Sequence, residues 1–191
     1  MDKQILNKLS KNFEKTWNIL SQEEKKDCVL YMKNTLKKGE EFYKESLTQL
    51  YEIKPELDKL VTNDMQEIIS LTKRIFKFTS DWKFAKEDRL QEKILKSDNP
   101  QLLFSDIVST DESFYKADSI VFDIVTQAKQ AINKNSYAGE KSNLTSLVLK
   151  TDLTIETFEK YINVFEKQSK KVEALFPSFS RKNDNNKEIT L

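Results

Sequence analysis

Apolar residues recur along this chain at intervals of three and four, the spacing that a helix of 3.6 residues per turn gathers onto one face. The longest such stripe runs from about 55 to 97, through Leu57, Leu60, Val61, Met65, Ile68, Leu71, Ile75, Phe78, Trp82 and Ala85. At 100° per residue its apolar arc covers roughly 200°, with Ile69, Phe76, Leu90 and Ile94 widening one side. A face that wide is buried only by two or more neighbours, so this helix is expected at the centre of the fold.

Ahead of it, residues 2–20 place Ile5, Leu6, Leu9, Phe13, Trp17 and Leu20 on one face, with Asp2 as N-cap. Ser21 followed by Glu24 is a capping-box pattern and opens a second helix. Its heptads read Val29, Leu36, Tyr43, Leu50 at one position and Met32, Gly39, Ser46, Ile53 at the other. Pro55 turns Lys54 away from helical geometry and suits the first turn of a new helix, so the pattern predicts a break at 53–55.

Beyond the long stripe, Asn99 and Pro100 introduce a short helix carrying Leu102, Leu103, Phe104, Ile107 and Val108. Ser109 with Glu112 repeats the capping box and predicts a separate helix to about 132, its inward face Phe114, Ala117, Val121, Ile124, Val125, Ala128 and Ile132. Residues 133–143, around Gly139, read as a loop. The last helix is the most regular: Leu144, Val148, Thr151, Ile155, Phe158, Ile162, Phe165, Ser169, Val172 and Phe176 alternate steps of four and three, which implies a left-handed supercoil. Pro177 ends it. The fold expected is all-α, an elongated up-and-down bundle of four long helices plus two shorter ones. It forms one domain over 1–177, with a disordered polar tail at 178–191. A homodimer in which exposed seams pair between chains is the second architecture, because periodicity does not say whose side chains fill a seam.

Composition sharpens this picture chiefly by exclusion. Among 191 residues, 33% are charged, and two glycines and three prolines leave few helix breakers. Lys and Arg number 32 against 31 Asp and Glu, so no whole-molecule field draws the chain to nucleic acid, and nucleic acid is not an expected partner. The chain has no histidine, which removes Ser-His-Asp and Cys-His nucleophiles, zincin sites and the Glu-x-x-His pairs of di-iron bundles. With Gly39 and Gly139 isolated, there is no phosphate-cradling glycine loop and no nucleophile elbow. Cys28 alone forms no internal disulfide and suits a reducing compartment. A cytoplasmic protein is the expectation, since the N-terminal residues lack a signal-peptide apolar core and no apolar run reaches bilayer length.

Two kinds of residue break the pattern. Asp64 and Asp118 fall within apolar arcs, and a buried carboxylate must be paired, hydrogen-bonded or protonated. Each is either a polar or cation-binding spot where the faces meet, or a residue near a bundle end that is wet or paired with a lysine. Between 73 and 89, Lys73, Arg74, Lys77, Lys83, Lys86 and Arg89 interleave with Phe76, Phe78, Trp82 and Phe84. Of these, Lys73, Arg74, Lys77, Trp82, Lys83, Phe84, Lys86 and Arg89 form the candidate interaction surface, against the plainer reading of a doubly packed helix with snorkelling lysines. No catalytic, metal or cofactor residues are assigned. The expected function is a non-enzymatic helical module, of adaptor, scaffold or inhibitor type, that binds another protein through a helix face or groove. An amphipathic protein lying on a lipid or polymer surface is the second reading, and a carboxylate-Mg²⁺ enzyme the third.

Overall fold

The computed structural model describes residues 2–77, 100–134 and 141–175. Among them the chain is all-helical, with six helices and no strand. The helices are α1 (Lys3–Lys11), α2 (Phe13–Ile19), α3 (Gln22–Lys59), α4 (63–77), α5 (Pro100–Lys134) and α6 (Lys141–Leu175). No helix among the described residues is long and apolar enough to cross a membrane.

Helix starts follow the local chemistry. Asp2 caps α1 by accepting the Gln4 N–H at 3.0 Å. At the head of α3 the capping box closes in both directions. The Ser21 N–H donates to Glu24 Oε2 at 2.8 Å, and the Glu24 N–H donates to Ser21 Oγ at 3.2 Å. The hydrogen bonds from Ser21 hold the Glu24 carboxyl below its ordinary pKa.

Helix ends depart from the pattern in four places. The segment expected as one helix over 2–20 is interrupted at Asn12, whose φ and ψ are −156° and 64°. The Lys8 carbonyl keeps its helical bond from the Asn12 N–H at 3.0 Å and also accepts the Thr16 hydroxyl of α2 at 3.4 Å, which ties the two helices together. The break expected at 53–55 does not occur, and α3 runs through Pro55 to Lys59. An interior proline costs about 3 kcal/mol. Here Ile53 and Leu57 on either side of it are buried and Lys54 is bonded to α6, so tertiary contacts offset that loss. The chain turns instead at 60–62, which divides the stripe expected as one helix over 55–97. Leu60 and Val61 close tight turns onto Leu57 and Asp58, and Thr62 stands at the start of α4. Finally, Ser109 and Glu112 open no new helix, since α5 is continuous from Pro100 to Lys134 with no proline or glycine between to end the first turns. Residues 78–99, 135–140 and 176–191, with the remainder of the long stripe, the Gly139 loop and the tail, lie outside the described residues.

The helix contacts gather into two compact units. Unit 1 takes Met1–Glu40, Ile94–Glu112 and Asn163–Leu191. Its core holds Leu9, Phe13, Cys28, Met32, Leu36, Ile107 and Val172, all essentially inaccessible. Phe13 stacks on Trp17 with ring centroids 5.1 Å apart, and the Lys25 ammonium lies 5.9 Å from the Trp17 ring. Burial, with Asp27 and Glu24 adding to it, pushes the Cys28 thiol up to about 11, so this cysteine is a small core residue and no nucleophile.

Unit 2 takes Glu41–Lys93 and Ser113–Ile162. Here α3 and α6 run antiparallel, because Tyr43 meets Phe158 and Tyr161 while Lys54 meets Asp152. The α3 seam is buried at every expected position, Val29, Met32, Leu36 and Gly39 in unit 1 and Tyr43, Ser46, Leu50 and Ile53 in unit 2. The α6 seam is buried from Leu144 through Phe158 in unit 2, with Ile162 half-buried, and at Phe165 and Val172 in unit 1, where Ser169 is half-buried and Gln168 lies inside next to it. Thr151 sits in this seam without an orphaned hydroxyl, since it donates to the Leu147 carbonyl at 2.8 Å.

Candidate functional site

In unit 2 the side chains that carry charge converge on one carboxylate. Asp152 is 7% exposed on α6, between Val148 and Ile155. Its Oδ1 accepts the Lys54 ammonium of α3 at 2.5 Å, and its Oδ2 accepts the Lys73 ammonium of α4. Lys54 also reaches Asp58 Oδ2, one turn along α3, at 3.0 Å. This convergence requires a chain reversal. In a continuous helix, 19 residues between Lys54 and Lys73 would separate their Cα atoms by about 28 Å, more than two lysine side chains span. The turn at 60–62 lays α4 back along α3 and brings both ammonium groups to the same carboxylate.

Beside the cluster lies a partly open cavity of about 260 Å³ lined by Asp58, Val61, Gln66, Ile69, Ser70, Lys73, Val148 and Asp152. Two carboxylates, Asp58 and Asp152, and one ammonium, Lys73, line it, and Lys54 bonds both carboxylates. No group of three or more Cys, Asp or Glu side chains among the described residues is placed to hold a metal ion. Both carboxylates at the cavity are already bonded to Lys54, which leaves their oxygens engaged by cations of the chain itself. The cluster ties α3, α4 and α6 together within the unit.

Burial alone would depress the Lys54 ammonium, but its bonds to Asp152 and Asp58 outweigh that, and its pKa stands above the ordinary lysine value. At the neighbouring contact the Tyr51 hydroxyl donates to Glu159, which raises the phenol above its ordinary value. In both groups the folded state holds its proton more tightly than the unfolded chain does. Their contribution is complete below the unfolded pKa of about 10 and is lost as pH rises through the higher folded value. The melting temperatures of the parent and of Lys54→Met, followed from pH 8 to 12, should differ most at pH 8 and converge above about pH 10.5. A constant gap across that range would show that the ammonium charge contributes nothing.

The structure rearranges the residues singled out by the sequence. Asp64 and Asp118 are both exposed, and neither is a buried polar spot. Asp64 lies in the first turn of α4, where a carboxylate is favoured by the helix dipole and remains in water. Because the helix begins at 63, the apolar arc around Asp64 is not a continuous buried face. Lys73 is half-buried and turned onto Asp152, so it is withdrawn from any basic surface. Arg74 and Lys77 are exposed on α4. Trp82, Lys83, Phe84, Lys86 and Arg89 lie outside the described residues.

The apolar face of α4 is divided as well. Met65 and Ile69 point inward, and Lys73 continues their line at the next i+4 step. Ile68, Leu71 and Ile75 point outward and are 54, 58 and 57% exposed, which overturns the expectation of a wholly buried central arc. The bond from Lys73 to Asp152 selects which of two overlapping stripes on this helix is buried. Sequence reasoning missed Lys54 and Asp152, although each sits at the centre of an apolar stripe: Lys54 between Leu50 and Leu57, Asp152 between Val148 and Ile155. Opposite charges centred in two seams are the signal that could have paired them. No known protein family, no curated protein and no solved structure matches this chain.

Proposed function

We propose that this chain is a non-enzymatic, cytoplasmic protein-interaction module, an up-and-down helical bundle that receives a helix of a protein partner along the outer face of α4. The observation that carries this reading is the exposed line Ile68, Leu71, Ile75 at i, i+3, i+7 on a helix whose opposite side is anchored in the core. Three aliphatic side chains each more than half exposed on one face are a poor surface for water and a good seam for another amphipathic helix. Asp64, Glu67 and Arg74 on the same side carry both signs of charge with no basic excess, so nothing there draws an anionic lipid surface and a protein surface is the better fit. The cavity at Asp152 supports this reading too, because its charges are used up in holding α4 in place.

Site-specific photo-crosslinking in the cells that make the protein tests this. A photoreactive residue at position 71 should give discrete protein adducts, while one at exposed position 130 on α5 should give none above background. Equal labelling from both positions, or transfer to lipid alone, would overturn the docking-face reading, the second in favour of a surface-binding protein.

A further inference from the structure

The outer face of α4 carries a charge order that matters for what can lie on it. Ile68 and Leu71 form its centre, both more than half exposed, and Ile75 extends it by a turn. In heptad terms Ile68 and Ile75 occupy one seam position and Leu71 the other, and the residue just before each of the first two is charged: Glu67 ahead of Ile68, Arg74 ahead of Ile75. Both are exposed and lie on the same flank of the stripe, opposite in sign and one heptad apart. A two-fold axis across an antiparallel helix pair carries each flank onto the same flank of the other helix. With the seam residues layered Ile68 on Leu71 and Leu71 on Ile68, Glu67 then comes opposite Arg74, twice over. A parallel pairing would bring Glu67 instead beside the other flank, which holds the buried Met65 and the half-buried Thr72 and offers no counter-charge.

We infer that a second copy of this chain occupies the face, the two α4 helices pairing antiparallel about a two-fold axis with Ile68 and Leu71 interleaved at the centre and Glu67 bonded to Arg74 on each side. This rests on the reading of α4 as a docking face and adds the identity of the occupant. The self-complementary pattern is what an isologous interface needs, where each residue meets its counterpart's partner. Ile68 and Leu71 from each copy, with each Ile75 set against Asp64 of the other at the ends, and two ion pairs in all fall short of the area of a stable standard interface, so the dimer is weak and concentration-dependent.

The experiment is sedimentation equilibrium of the purified full chain from about 5 to about 500 µM, with charge reversals on the flank. The parent should move from monomer to dimer across that range. Glu67→Arg and Arg74→Glu each place like charges opposite one another twice, and each should weaken association about tenfold or more. Mixing the two single variants matches every charge again and should restore dimer, now as a heterodimer, and the double variant E67R/R74E should dimerise like the parent. Both positions are exposed, so unchanged melting temperatures confirm that the variants fold. A parent that stays monomeric throughout, or single variants whose mixture does not recover, overturns the inference. If the parent is monomeric while position 71 still crosslinks a different protein in cells, the second-copy inference falls and the docking-face reading stands. If neither occurs, both fall.

Discussion

Replacing Phe158 with alanine should destabilise the protein by about 4 kcal/mol, the cost of deleting a buried aromatic ring and leaving its cavity. Phe158 is 4% exposed on α6, and its ring meets Tyr43 of α3 edge-on with centroids 4.7 Å apart. Tyr161 completes the cluster, 5.2 Å from Tyr43 and 6.5 Å from Phe158. For a chain of this length the loss corresponds to a fall of roughly 10 °C in melting temperature. Phe158→Leu keeps most of the volume and should cost less than half as much. A double-mutant cycle with Tyr43→Leu should return a coupling of about 1 kcal/mol, the part owed to ring geometry beyond area. A total loss under about 1 kcal/mol for Phe158→Ala would mean that α3 and α6 do not pack in this register.

Asp152→Ala should be the next most damaging change, and for an opposite reason. It removes little volume but takes the carboxylate from the Lys73 ammonium and leaves Lys54 with Asp58 alone, each lysine being about one third exposed. Breaking a fully buried pair costs about 3 to 5 kcal/mol. The lysines here reach water in part, which screens them, so about 2 to 3 kcal/mol is expected. Urea unfolding should show the midpoint fall without a change in slope. The companion triple variant Lys54→Met, Lys73→Met, Asp152→Leu takes the charges away together and should recover most of the loss, because an apolar replacement spares the desolvation of all three groups. Recovery would show that the cluster selects the arrangement of α3, α4 and α6 more than it adds stability. A triple variant as unstable as Asp152→Ala would assign the cluster a net stabilising role instead.

Both predictions depend on side chains whose partners lie about a hundred residues away, and this distance divides what could be read in advance from what could not. The α3 seam was legible over eight positions, Val29 to Ile53, because a helix face is a local property: spacing alone determines which side chains share it. The Ser21–Glu24 capping box was legible for the same reason, since its partners are three residues apart. Ser109 and Glu112 carry the same letters without effect, because a box closes only where a helix begins. Pro55 was misread because its local cost was weighed without the burial of Leu57 and the reach of Lys54 to Asp152. The continuous arc around Asp64 was misread because a face drawn through 60–62 assumed a helix that is interrupted there, while the exposure of Asp64 itself agrees with the plainer of its two readings.

Helical class and the buried seams of α3 and α6 follow from residue order alone, since each depends on interactions within a few turns, and the chain holds no histidine for the site types that need one. Where α3 stops, why α4 folds back, and why Met65, Ile69 and Lys73 are turned inward while Ile68, Leu71 and Ile75 face water were decided by contacts among α3, α4 and α6. A helix wheel treats both stripes of α4 as equal. The carboxylate of Asp152 does not, because a buried negative charge has to be met by the ammonium groups within its reach, and one of them lies on the same line as Met65 and Ile69.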